Sequence, residues 1–361
     1  MKILHVAETI KGGVATVVDQ LVLDQLKREH DVKVLVPCDQ SEYLTDPDSI
    51  TTYKKTGRNI FSFLCLAVAF LKIIFQYKPD IIHLHSSFAG AICRAVLFLI
   101  PFQRAKVIYC PHSFSFMMNV SEIKKKLYAL IEKVLSVVTD KIICVGNAEY
   151  DAADKFGINR DKLTIIFNGV EAPKNIDMIE KEYLKNGVIN FLFVGRFDYQ
   201  KGFDLLTQLF EYAQSFKVHF TVIGDFVHAN AGIKPQFPNV TYLGWLPKGK
   251  LIEYYQTTDL LIMPSRWEGL PMVAIEAFSM GLPLFASNCP SLGELITDEV
   301  DGFLFENNSS QSLICRFNEI YSTLEKQKLE KLAYLVREKF ERNFTAERML
   351  DTTLDLYKNL I

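Results

Sequence analysis

The stretch "DLLIMPSRWEGLPMVAIEAF", residues 259–278, reads as a strand, a loop and the start of a helix. Leu260 to Met263 are apolar without interruption, so the strand has no polar face to show to water. Pro264 closes it, and Pro271 stands at the expected first helical position, where proline's missing N–H costs nothing. A strand apolar on both faces needs cover on both sides. That pattern predicts a parallel sheet in an α/β layer fold.

The same alternation of short apolar strands and helix-length segments runs outward in both directions. "KILHVA" (2–7), "DVKVLV" (31–36), "DIIHLH" (80–85), "KVIYC" (106–110), "KIICV" (141–145) and "KLTIIF" (162–167) form a first series. An amphipathic helix is predicted over 13–28. The rhythm then pauses in "NGVEAPKNIDMIEKEYLKNG" (168–187), which has turn residues and no sustained apolar period. It restarts with "NFLFVG" (190–195), "KVHFTVIG" (217–224), "NVTYLG" (239–244) and "PLFAS" (283–287), and residues 311–361 read as helical. The expected architecture is two Rossmann-like, doubly wound domains: 1–170, a linker at 171–187, 188–340, and a C-terminal helix in 341–361 packing back on the first domain. Ligands of such sheets bind beyond the carboxyl ends of the strands, so the expected site is the crevice between the two domains.

Composition sets the bounds. At 361 residues the chain is long for one core, and 49% hydrophobic against 23% charged residues excludes a disordered chain. A net charge of -2 argues against a nucleic-acid partner. Residues 1–170 carry 21 Lys+Arg against 17 Asp+Glu, and residues 171–361 carry 19 against 25. The first half is mildly basic and the second acidic. Seven scattered cysteines without a C-x-x-C predict reduced thiols and a cytoplasmic protein. "MKILHVAETI" runs straight into a strand and a glycine loop and does not read as a signal peptide. "IFSFLCLAVAFLKIIF" (60–75) has a charge-free core of about a dozen residues before Lys72, short of the roughly 20 that a membrane span needs. It is expected to be a helix packed between sheet and neighbours.

Three loops at carboxyl ends of strands suit phosphate. In "ETIKGGVATVV", Gly12 and Gly13 let the backbone approach an anion at a helix start, or simply make a tight turn. The loop is not G-x-G-x-x-G, which argues against a nicotinamide oxidoreductase. In "VGRFDYQKGFDLL", Arg196 and Lys201 put a planar fork and a point charge on one loop, a diphosphate clamp. In the opening stretch, the amides of Leu270, Met272 and Val273 are expected to face whatever lies at the helix start. Glu276, inside the helix, can accept two hydrogen bonds from a vicinal diol such as ribose. Glu268 would point into the same place, with Gly269 and Pro271 between the two acids. Two carboxylates flanking phosphate-binding amides describe a nucleotide-sugar site.

Glu-x7-Glu in "EGLPMVAIE", preceded by "GRFDYQKG" and the opening "GG" loop, resembles the retaining glycosyltransferase family four of the GT-B fold. The resemblance runs over nearly the whole chain through "DIIHLHS", "PHSFS", "FNGV" and "GLPLFASNCPSLGELI", and within the family it points to bacterial O-antigen and capsule enzymes. It implies that Arg196 and Lys201 hold the donor diphosphate, Glu276 the ribose and Glu268 the sugar hydroxyls beside the reacting carbon. Gly12 and Gly13 would close on the phosphates, His112 would orient the sugar, and Gly269, Leu270, Pro271 and Met272 would complete the donor loop. It further implies no cofactor and no metal, with a nucleotide sugar, UDP-linked, as donor. The acceptor it implies is a polyprenyl-diphosphate-linked oligosaccharide met at the inner face of the cytoplasmic membrane. A soluble sugar acceptor and a non-catalytic nucleotide-sugar-binding protein are the alternatives.

The chain departs from the family pattern in three places: Phe226 in "GDF", Asn288 to Glu294 in "NCPSLGE", and Gly146–Asn147 in "CVGN". The Asn288–Glu294 loop would lie near the donor sugar, so the identity of that sugar is not carried over by the resemblance. His83 and His85 alternate as metal ligands do, but no further His/Cys cluster in the sequence completes a site. "DPD" (46–48) sits in a polar loop rather than after a buried strand. The segment 121–138 is a predicted helix carrying Lys124, Lys125, Lys126 and Lys133 and an apolar seam. It either docks on anionic lipid or presents a solvated face over a core; the sequence leaves both open.

Overall fold

The computed structural model describes residues 1–100, 104–172, 183–226 and 234–361. Of the predicted linker, 173–182 lie outside the described residues. Two compact units are present, Met1–Gly169 with Ala346–Ile361, and Val170–Thr345.

The first unit carries β1 (Lys2–Ala7), α1 (Gly13–Lys27), β2 (Asp31–Pro37), β3 (Ile50–Tyr53), α2 (Ile60–Tyr77), β4 (Ile81–His85) and α3 (Ser87–Leu99). It continues through β5 (Lys106–Cys110), α4 (Glu122–Leu135), β6 (Lys141–Cys144), α5 (Asn147–Lys155) and β7 (Leu163–Ile165). The sheet order is β3-β2-β1-β4-β5-β6-β7, parallel throughout. Strand order reverses between β1 and β4, the place where doubly wound sheets bind ligands. β3, "ITTY", escapes the sequence reading because it is a half-exposed edge strand with no apolar run.

The first unit's helices are held by local chemistry. Asn59 caps α2 by accepting from the Ser62 amide at 2.9 Å. Leu66, Phe70, Ile73, Ile74 and Tyr77 of α2 enter the core. The other face of α2 is uncovered: Ile60, Phe61, Leu64, Val68 and Phe75 are exposed. By length and composition α2 could cross a membrane, yet its buried face belongs to this core. The expectation of a helix covered on both sides is corrected to one covered on a single side. On α4 only Ala129 and Glu132 are buried. Arg94 of α3 reaches Glu132 at 2.7 Å, with Arg94 stacked on the Tyr109 ring at 3.8 Å. That ion pair leaves the apolar seam of α4 facing outward.

The second unit carries β8 (Ile189–Val194), α6 (Phe203–Tyr212), β9 (Val218–Ile223), β10 (Val240–Gly244), α7 (Lys248–Thr257), β11 (Leu260–Met263) and α8 (Met272–Ser279). It ends with β12 (Leu284–Ser287), α9 (Pro290–Leu295), β13 (Gly302–Phe305), α10 (Ser310–Thr323) and α11 (Lys326–Asn343). The order β10-β9-β8-β11-β12-β13 is again parallel and reverses between β8 and β11. Its core is aromatic: Phe191 packs on Phe220, Phe317 and Phe285 with centroids 5.1, 6.0 and 6.4 Å apart. The last helix, α12 (Ala346–Lys358), belongs to the first unit, where Arg28 donates to Asp351 at 2.6 Å.

Candidate active site

In the second unit the loops after β8 and β11, the two strands at the reversal, carry the candidate residues. Lys201 Nζ donates to Glu268 Oε1 at 2.6 Å, and both side chains are largely buried, 16% and 7% exposed. The two groups that the sequence assigned to different parts of a ligand are one ion pair. Arg196, half-exposed, contacts Asp198 at 3.2 Å and donates to Gln200 Oε1 at 2.9 Å. Gln200 Nε2 in turn donates to the Trp267 carbonyl at 3.2 Å, which ties the arginine loop to the Glu268 loop.

Backbone geometry brings these loops together. Gly202 caps α6 at φ 68°, and a Cβ there would lie 2.0 Å from the Pro264 carbonyl oxygen. Only glycine permits that approach. The Glu268 loop is held from beneath, where Ser291 Oγ donates to the Glu268 carbonyl at 2.9 Å and Ser287 Oγ donates to the Ser265 carbonyl.

Pro271 is the N-cap residue of α8, one position before the helical place that the sequence predicted, because its ψ of 119° is still extended. The amides of Met272 and Val273 have no acceptor among the described residues, as expected of a first helical turn. Leu270 and Met272 turn their side chains inward. Four positions into α8, Glu276 accepts from the Tyr255 hydroxyl at 3.0 Å. Burial, then the neighbouring Glu276, pushes the Tyr255 phenol well above its ordinary range, so it stays a donor. The tyrosine fixes one carboxylate oxygen of Glu276.

Arg266 is the functional-loop residue that the sequence reading missed. It forks onto Asp204 at 2.7 Å through both terminal nitrogens, donates to Asn308 at 2.6 Å, and stacks on Tyr199 at 3.7 Å. Nothing local in "SRWEG" distinguishes a latch from a ligand-binding cation. Arg266→Ala is expected to destabilise the second unit by about 2 kcal/mol, as hydrogen bonds to charged groups do. Faster hydrogen exchange at 265–271 is the check. Phe226, the departure in "GDF", packs edge-on against Phe197 and Phe203 at 5.4 and 6.0 Å, filling space that a glycine would leave open.

In the first unit Gly12 caps α1 with φ 59° and ψ -135°, while Gly13 is already helical. The positive φ explains Gly12; no close approach does, since nothing lies within 4 Å of a Cβ there. His112 and Ser113 follow β5 with φ of 53° and 106°, a strained turn for non-glycine residues. Buried Glu149, also missed by the sequence reading, accepts from the Ser113 and Val145 amides at 2.8 and 2.7 Å and pins that turn. Burial pushes the His112 imidazole down to about 4, so it is neutral. Its Nε2 lies 3.1 Å from His85 Nδ1. Contrary to the sequence expectation, a third histidine does join His83 and His85: strand pairing places His5 opposite His83.

Comparison with known proteins fits this geometry. The family "Glycosyltransferase Family 4" matches residues 11–173, and "Glycosyl transferases group 1" matches 175–336. The chain is 38% identical over 99% of its length to all of a Klebsiella pneumoniae protein described as an uncharacterized 41.2 kDa protein in the cps region. It is 27% identical to an Escherichia coli UDP-Gal:alpha-D-GlcNAc-diphosphoundecaprenol alpha-1,3-galactosyltransferase, over 81% of this chain and 79% of that one. Among solved structures, Anabaena HepE in complex with UDP-glucose aligns with TM-score 0.77 at 17% identity, covering 99% and 100% of the two chains. Sucrose-phosphate synthase from Thermosynechococcus elongatus aligns with TM-score 0.79 at 18% identity, covering 99% and 98%. Two parallel Rossmann-like units with the paired charges at the β8/β11 reversal, and family matches over both, make this chain a glycosyltransferase of family four with the GT-B fold.

Proposed function

We propose that the enzyme is a retaining, metal-independent transferase that moves a hexose or N-acetylhexosamine from a UDP-sugar to a lipid-linked oligosaccharide during surface-polysaccharide assembly. The observation that carries the donor reading is the buried Lys201–Glu268 pair beside the start of α8. Lys201 and Arg196 neutralise the diphosphate, aided by the Met272 and Val273 amides. Glu276, with one oxygen held by Tyr255, takes the ribose diol. Glu268 takes the sugar hydroxyls, His112 orients the sugar, and the Gly12–Gly13 turn admits the phosphates.

In the reaction, the bond between the anomeric carbon and the diphosphate oxygen breaks and a bond to the acceptor oxygen forms on the same face. The acceptor proton passes to the departing diphosphate, which Lys201 and Arg196 stabilise as its charge grows. The E. coli relative, by its name, uses UDP-Gal and a diphosphoundecaprenol acceptor, which supports UDP and a lipid-linked acceptor here.

The outward faces of α2 and α4 support action at the inner face of the cytoplasmic membrane. Ile123, Leu127, Leu130, Ile131 and Val134 form a stripe at helical spacing, 82% to 41% exposed, and Lys124, Lys126 and Lys133 are exposed on the same helix. Burying an apolar side chain of this size contributes about 1.5–3 kcal/mol. The triple variant Ile123→Ser, Leu127→Ser, Leu130→Ser is therefore expected to lower binding to phosphatidylglycerol vesicles by at least about 10-fold in a flotation assay. Wild-type protein that stays off such vesicles would sink the membrane reading and favour a soluble acceptor.

A further inference from the structure

The first unit holds a buried histidine group that glycosyl transfer leaves unused. His5 on β1 stands opposite His83 on β4, with His85 two residues further along. Alternate strand residues share a face, so all three imidazoles rise from one face at the β1/β4 reversal. Their ring centroids are 5.4, 5.3 and 4.0 Å apart, and one nitrogen from each lies within 4.8 Å of the other two. His5, His83 and His85 are 0%, 2% and 0% exposed.

Each ring also has a partner on its far nitrogen. His5 Nε2 lies 2.8 Å from Gln25 Oε1, His83 Nδ1 lies 2.6 Å from the Tyr357 hydroxyl, and His85 Nδ1 lies 3.1 Å from His112 Nε2. This is the outer-shell pattern that orients ligating histidines. On the inner side, His5 Nδ1 and His85 Nε2 are 3.0 Å apart, and buried His83 Nε2 has no hydrogen-bond partner. A buried polar atom without a partner is rare and calls for an explanation. Beside His83, His85 and His112 lies a cavity of ≈ 20 Å³, about the room that one water requires.

We propose that His5 Nδ1, His83 Nε2 and His85 Nε2 form a site for one divalent transition ion of the zinc class. Three neutral imidazoles suit zinc, cobalt, nickel or copper rather than the hard, oxygen-seeking magnesium or calcium. Zinc–nitrogen bonds of about 2.0–2.1 Å set tetrahedral ligand atoms roughly 3.4 Å apart, so the His5–His85 pair opens by a few tenths of an ångström. A water in the neighbouring cavity supplies the fourth ligand. Without the ion, one proton is shared between His5 Nδ1 and His85 Nε2. The ion takes His85 Nε2, so the single His85 proton moves from Nε2 to Nδ1, where it donates to His112 Nε2. The His112 proton in turn moves from Nε2, from which it donates to His85 without the ion, to Nδ1. The ion thereby sets the tautomer of His112 through His85 while contacting no donor group, so the transfer step itself uses no metal, and the assignment stands independently of the glycosyl-transfer reading.

The test is a titration of the full, tag-free chain, stripped with a chelator, with Co²⁺ followed by its visible absorption and by displacement with Zn²⁺. One equivalent is expected to bind, with no competition from excess Mg²⁺. His83→Gln is expected to abolish binding. Tyr357→Phe, which leaves all three ligands in place, is expected to weaken it about 10–100-fold. Ring ¹⁵N spectra with Zn²⁺ are expected to show the His112 proton on Nδ1. A folded wild-type chain that takes up neither ion at one equivalent would overturn the proposal. So would unchanged affinity in His83→Gln, or a His5–His85 shared proton that persists in the presence of Zn²⁺.

Discussion

Replacing Lys201 by alanine is expected to lower kcat by about 10²–10³-fold, the loss that follows removal of one preorganised donor to developing negative charge. It should also destabilise the second unit. Glu268 is 7% exposed and its ion-pair partner is Lys201 at 2.6 Å, and a buried charge stripped of its partner costs about 3–5 kcal/mol. The two effects separate in the double variant Lys201→Ala, Glu268→Gln. That chain no longer buries an unpaired charge, so its melting temperature should recover most of the loss while turnover does not. Because Glu268 itself serves the sugar, Glu268→Gln alone is the reference for turnover: if the double variant turned over as fast as that single one, Lys201 would be scaffolding alone. Lys201→Arg is expected to keep the fold but not full activity, because a planar fork does not replace a point charge in a pocket shaped for one.

The second large effect is expected from Gly202→Ala. The residue sits at φ 68°, and the added Cβ would meet the Pro264 carbonyl oxygen at 2.0 Å. A left-handed alanine costs about 1–2 kcal/mol by itself. Here the new methyl meets backbone, not a movable side chain, so the β8 and β11 loops must separate. A total of about 3–5 kcal/mol is expected from strain and overpacking together. Gly244→Ala is the control: its φ of 69° is similar, but nothing lies within 4 Å of its Cβ. It should cost only the conformational part, about 1–2 kcal/mol. Urea unfolding of the two variants measures the difference, and equal losses would mean that the Gly202–Pro264 approach carries no energy.

The strands at the centre of each sheet were legible because burial on both faces leaves an unbroken apolar run, as in Leu260–Met263. The edge strand β3, ITTY, was not, since it carries no such run; β13, GFLF, is apolar and largely buried, but three apolar residues after a glycine are too short a run to mark a strand. The donor-site residues could be read from their places at strand ends, but their pairing could not. Lys201 and Glu268 are 67 positions apart, and it is the β8–β11 adjacency that brings their loops together. The same holds for His5, which lies 80 positions from His85. Periodicity revealed an apolar seam on α4 without saying what it faces; the Arg94–Glu132 pair turns it outward. Arg266 and Glu149 act through contacts across the fold that no local pattern encodes.

Isothermal calorimetry of UDP against the wild-type chain and Glu276→Gln, in metal-free buffer, tests the donor site most directly. Glu276 is predicted to hold the ribose through hydrogen bonds to a carboxylate, so the variant should bind about 10–100-fold more weakly with an unchanged melting curve. Equal affinity in the two proteins, or no binding of UDP by the wild type, would contradict the placement of the donor.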